Sequence, residues 1–157
     1  MAERAEALAA KIDQANNDAI ATIDGMSGDQ WIATCADEGW SVAVTAHHIA
    51  SGYSPLTGFV QAVANGADLP ALTMDMIDRG NAQHAEQFAN CSKEETLEML
   101  RSGGAAAAAA VRGLSDDQLD KSAVILAGAP EMTTEQIIEN LLIGSTTGHH
   151  ASIQKSI

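Results

Sequence analysis

The stretch Trp40 to Ala64, WSVAVTAHHIASGYSPLTGFVQAVA, decides the fold. Val42, Ile49, Leu56, Val60 and Val63 recur at three-, four- and seven-residue steps, which places them on one face of a helix. Strict alternation, the mark of a half-buried strand, is missing. Ser41 is positioned to cap the helix start, and Asn65-Gly66 to end it. Pro55 is expected to kink or break it, because proline removes a backbone donor. His48 borders the apolar stripe and is expected to face inward. His47 projects about 100° further round and is expected to meet solvent.

The same periodicity extends in both directions. Toward the N-terminus, Leu8, Ile12, Ala15, Ala19 and Ile23 define a first helix from about Ala2 to Asp24. Ser27 to Gly39 connects the two helices. Ser27 and Gln30 have capping-box spacing there, and Trp31 and Trp40 bracket the segment and pin it to the body. Toward the C-terminus, a loop with Pro70 leads into a helical stretch from about Thr73 to Gly113. Ser92 and Glu95 predict a break in it near Asn90-Cys91. Gly103 to Ala110 is alanine-rich and reads as a face that lets a neighbour approach closely. Ser115 to Asp120 is a short polar turn, and Lys121 to Met132 is a loop that is briefly extended at Ala123 to Leu126. Thr133 and Gln136 start a last helix that runs to the end. Four long helices with short links predict an all-α four-helix bundle, one domain over residues 1–157.

Composition narrows the function classes. Hydrophobic residues make up 46% and aromatics 3%, so alanine, leucine and isoleucine fill the core and favour close helix packing. Eight basic residues face 21 acidic ones, a formal charge of −13. Phosphate neutralisation needs clustered Lys and Arg, so nucleic acid is excluded as a partner, and anionic membrane surfaces with it. No apolar run approaches the ~18 residues of a spanning helix. Two cysteines, Cys35 and Cys91, make no disulfide framework and point to a reduced, cytoplasmic setting. The long apolar stripes and alanines raise the expectation of a homodimer.

Chemistry is expected from the histidines. Ile77, Asn81, His84 and Phe88 fall at 4-3-4 spacing and share a face with two polar residues between two large apolar ones. Ile138, Leu142, Ser145, His149 and Ile153 form another such face, with His150 at its margin. His48, His84 and His149 thus come from three helices and are expected to converge. Bundles build metal sites in this way. The local alternative for His84 is a histidine satisfied by Asn81 or a backbone group. There is no phosphate loop, nucleophile elbow or zinc cysteine set, and no catalytic residue is assigned.

The stretch Trp40-Ser41 followed by His48, Ile49 and Ala50 resembles the second-helix signature of the DinB-like superfamily. The ending His149-His150-Ala151-Ser152-Ile153 resembles its last-helix signature. Asp78, Asn81 and Gly113 to Asp116 are similar to its third helix and the turn that follows. The resemblance implies a four-helix bundle holding a divalent metal, often nickel or zinc, on three side chains. It places ligands at His48 and His149. Ser145 stands where the family has its other ligand, and His84 is the substitute that periodicity offers. Characterised relatives include transferases and isomerases that use low-molecular-weight thiols such as mycothiol.

Two functions are therefore expected, and the sequence leaves both open. One is a metal-dependent transferase or hydrolase using a small thiol or water as nucleophile, with Ser145 and Asn81 contributing to cofactor binding. The other is a non-catalytic bundle with a degenerate metal site that binds a small molecule or a protein partner.

Overall fold

The computed structural model describes residues 2–157. The chain opens with α1 (Glu3–Asp24), the short α2 (Gly28–Trp31) and α3 (Val42–Ala64). It continues through α4 (Met74–Gln87), α5 (Lys93–Arg112) and the short α6 (Asp116–Leu119). A two-stranded antiparallel pair, β1 (Ser122–Ala123) with β2 (Met132–Thr133), then leads into a C-terminal rod. The rod is α7 (Thr134–Ile137), a π-helical segment Ile138–Ile143, and α8 (Gly144–Ser156). α1 packs on α5, α5 on α3, α3 on the rod, and the rod on α1, closing a four-helix ring. The fold is the expected all-α bundle.

Local chemistry sets the helix boundaries. The Ser27, Ser115 and Thr133 hydroxyls each accept the amide hydrogen of the third helical residue, and the glutamine there bonds back to the cap, satisfying two otherwise orphaned donors. Ser41 caps α3 through Val44, and Ser92 caps α5 through Glu95. The break expected near Asn90-Cys91 falls between α4 and α5. Pro55, by contrast, breaks nothing: α3 runs unbroken through it. Pro55 is exposed, so the carbonyl that loses its helical donor can be met by water.

The core is aliphatic, with Ile12, Ile23, Leu97, Leu100, Ile137, Ile138, Leu142 and Ile153 almost fully buried. At its centre lies one polar network. Asn16 donates from Nδ2 to the Leu100 carbonyl at 2.9 Å and accepts from the Tyr53 hydroxyl at 2.9 Å. Thr146 Oγ1 lies 3.4 Å from that hydroxyl. α5 must run close to α1 to make this network. A Cβ on Gly104 would sit 2.1 Å from Asn16 Nδ2, so the alanine-rich stretch does allow close approach.

α4 stands outside the ring. None of its residues is buried, and it lies chiefly against α3. Its half-buried positions are Ile77, Asn81, His84 and Ala85, with Phe88 at its cap. This is the face that the 4-3-4 spacing marked.

Candidate functional site: a histidine cluster at the end of an apolar cavity

Three elements bring the histidines together. α3 carries His47 and His48, α4 carries His84, and α8 carries His149. His48 occupies the middle position. Its ring centre lies 5.3 Å from that of His84 and 5.0 Å from that of His149, edge-on to each. Trp40 closes the group, with its ring centre 5.1 Å from His48 and 6.4 Å from His149.

His47 does not meet solvent. It is 5% exposed, and its Nδ1 lies 2.8 Å from His84 Nε2. Phe88 stacks on it with ring centres 4.0 Å apart. The expected outward face of α3 is covered because α4 and the segment after it pack on that side. The sequence carried a signal for this: from Val42 to Ala50 the helix is apolar nearly all round, the mark of a helix buried on more than one side.

His149 has a partner that helical periodicity could not reveal. Its Nδ1 lies 2.9 Å from Glu38 Oε1, and Ser152 donates to Glu38 Oε2 at 2.5 Å. Gly39, with φ of 75°, makes the left-handed turn that follows Glu38 and leads to Trp40. Holding Nδ1 fixes the tautomer and turns the other ring nitrogen, Nε2, away from the carboxylate. Ser152 lies three residues after His149, on the same face of α8, and that spacing was the one local hint. His150 points elsewhere, 2.7 Å from Thr22 Oγ1 on α1.

Burial disfavours charge on three of these histidines, His47, His48 and His84. Burial, then the neighbouring imidazoles of His149 and His84, push the His48 pKa down to about 4, against a weaker pull from Glu38. Burial also lowers His47, opposed by Glu95 of α5, and lowers His84, where His47 adds to the effect. His84 Nδ1 is buried and has no hydrogen-bond partner among the described residues.

One side of His48 opens onto a cavity of about 450 Å³ between α3, α4, the rod and the Leu72 and Ile125–Met132 segments. Ser145 and Asn81, the two residues expected to bind a cofactor, line it beside His48. The rest of the wall is mostly aliphatic, including Ile49, Leu56, Ile77, Ile125 and Leu141.

The donor set can be tested against the three-side-chain metal centre that the resemblance implies. His84 Nε2 is engaged with His47 Nδ1 at 2.8 Å and Ser51 Oγ at 3.3 Å. Ser145 offers only a hydroxyl. Among the described residues, no group of three His, Cys, Asp or Glu side chains is arranged to hold a metal ion. His48 and His149 remain as a pair, fewer than the three protein ligands usual for a catalytic zinc. The residues present do not fit that centre. No helix among the described residues is long and apolar enough to cross a membrane.

No curated protein and no solved structure matched the chain. A family model did, over residues 2–141, a span that includes Glu38, His47, His48, Asn81 and His84 and ends before Ser145 and His149. That model is the mycothiol maleylpyruvate isomerase N-terminal domain, and the chain belongs to this family of the DinB-like superfamily.

Proposed function

We propose that the chain is a small-molecule-binding bundle, in which a largely apolar ligand fills the cavity and places its polar end at His48. One observation carries this reading. A cavity of about 450 Å³ sits within the size range of ligand sites and is mostly aliphatic. Of the five polar side chains that line it, Tyr53 and Thr146 are engaged in the central network, whereas His48, Asn81 and Ser145 make no side-chain hydrogen bond to the described residues. Unpaired polar groups at one point of an apolar cavity are what a ligand would satisfy.

Transfer or hydrolysis on a divalent metal, with a low-molecular-weight thiol or water as nucleophile, is the competing reading. It fits the family but lacks a third nitrogen or carboxylate donor here. One experiment separates the two. Untagged protein and its His48→Ala variant are analysed for bound divalent metal, and wild type and Ala129→Trp are titrated with naphthalene, followed by its fluorescence. Ala129 lines the cavity, so a tryptophan there should fill it. The expected result is substoichiometric metal in both proteins and naphthalene binding that Ala129→Trp abolishes. Stoichiometric metal that disappears in His48→Ala, with no naphthalene binding, would overturn the proposal.

A further inference from the structure

The cavity is graded, and three helices grade it in the same direction. Along α3 the lining runs from Leu56 through Gly52 to His48, one turn at a time. Along α4 it runs from Ile77 to Asn81, and His84 follows beside His48. Along the rod it runs from Leu141 to Ser145, and His149 follows, also beside His48. Each helix therefore turns from apolar to polar toward the same point. Leu72, Ile125, Leu126 and Met132 add further apolar lining.

The polar end carries hydrogen-bonding groups and no charge partner. Imidazole, carboxamide and hydroxyl line it; no Lys, Arg, Asp or Glu does. Seven of the eight basic residues are engaged elsewhere, and the eighth, Lys121, does not line the cavity. Arg4, Lys11, Arg79, Arg101, Arg112 and Lys155 pair with acidic side chains on the surface, and Lys93 donates to the Met26 carbonyl. A carboxylate or phosphate entering the cavity would lose its hydration without gaining a cation, and would do so in a chain of net charge −13. An ammonium would fare no better, since Glu38, the carboxylate bonded to His149, is held by Ser152 and His149 and does not line the cavity.

We infer, building on the small-molecule reading, that the ligand is an uncharged amphiphile: an apolar body with a hydroxyl or similar neutral donor head, bonded by His48 with Ser145 and Asn81 beside it. Charged analogues of the same body are rejected.

The test uses a matched set at neutral pH: naphthalene, 2-naphthol, 2-naphthoate and 2-naphthylmethylammonium, titrated by calorimetry into the full chain. 2-Naphthol should bind about tenfold tighter than naphthalene, roughly the worth of one net hydrogen bond, and both ions should bind more weakly than naphthalene. His48→Phe keeps an aromatic ring in place and should erase the advantage of naphthol over naphthalene while naphthalene affinity holds. Asn81→Leu, on the unburied helix α4, is a second variant with little risk to folding, and it should reduce the same advantage. Naphthoate or the ammonium binding as tightly as naphthol would overturn the inference, as would a naphthol preference unchanged in both variants. Naphthalene binding with no head-group preference would sink this inference alone. The absence of binding by any member of the set would sink the small-molecule reading with it.

Discussion

At the scale of single residues, the two informative glycines have opposite expected effects. Gly104→Ala gains about 1 kcal/mol of helix propensity, but its methyl would lie 2.1 Å from Asn16 Nδ2. Asn16 must then leave Leu100 and Tyr53, and stranding buried polar atoms costs about 1–3 kcal/mol before any strain from overpacking. The clash wins, and urea denaturation of Gly104→Ala should show a net loss of about 1–3 kcal/mol. Gly80→Ala meets nothing within 4 Å on an exposed helix face and should be neutral or stabilising by up to about 1 kcal/mol. The histidines give a pH prediction. An unfolded histidine takes its proton near 6.5, whereas His48 resists protonation down to about 4. Between those values the unfolded state binds a proton that the folded state does not, so stability falls as pH falls. His47, His84 and His150 are lowered by burial and act in the same direction. The thermal midpoint should therefore drop from pH 7 to pH 5, and His48→Phe should make the drop shallower. A midpoint flat across that window would contradict the burial of the cluster. Some of this chemistry was legible in the sequence. His48 and His149 could be placed because each lies on or beside a regular apolar stripe. Glu38 could not, because its partner lies 111 residues away and nothing local distinguishes it among 21 acidic residues.

At the scale of elements, helix starts were readable because caps are local chemistry. A serine or threonine and the residue three positions later settle the matter between themselves, as at Ser27, Ser115 and Thr133. Which helices join the ring was less readable. α4 and α5 have similar amphipathic patterns, yet α5 buries Leu97, Leu100, Ala107 and Val111 while α4 buries nothing. The difference lies in polarity on the inward face, where α4 offers Asn81 to a cavity and His84 to His47 instead of aliphatic side chains to a packed neighbour. The π segment Ile138–Ile143 was also hidden, since helical periodicity tolerates one widened turn. The weak packing of α4 has a dynamic consequence. Its local opening should cost far less than global unfolding, so its amides should exchange hydrogen faster than those of α1 and α5. Because Ile77 and Asn81 line the cavity, a bound ligand should slow exchange in α4 more than in any ring helix. Hydrogen exchange with and without 2-naphthol measures this directly. Equal protection of α4 and α5 without ligand would show that α4 is part of the rigid body after all.

At the scale of the whole molecule, charge sets the problem. The chain carries 21 acidic and eight basic side chains, so self-repulsion opposes compaction. The basic residues are used economically against it. Arg4 lies between Asp120 at 2.9 Å and Glu135 at 2.5 Å, with Asp116 at 3.8 Å, and joins α1 to the turn after α5 and to the rod. Arg112 reaches Glu6 at 2.7 Å and Asp13 at 3.2 Å, tying α5 back to α1. Added salt acts on both sides of this balance. It screens the attraction in these bridges, but they are solvent-exposed pairs worth about 0–1 kcal/mol each. It also screens repulsion among the excess acidic charges, which reaches across the molecule when the Debye length is about 30 Å at 0.01 M and fades when it shrinks to a few ångströms near 1 M. Many weak long-range repulsions should outweigh a few weak short-range attractions. The thermal midpoint should therefore rise as sodium chloride is increased from low to high concentration. Arg4→Ala separates the two contributions: it removes the bridges that salt weakens and adds to the net negative charge. Its midpoint should be lower than that of wild type at low salt and should rise more steeply, so that the two proteins converge. If the wild-type midpoint instead falls with salt while Arg4→Ala shows no slope, the bridges dominate, and the acidic surface contributes little to the balance between folded and unfolded chain.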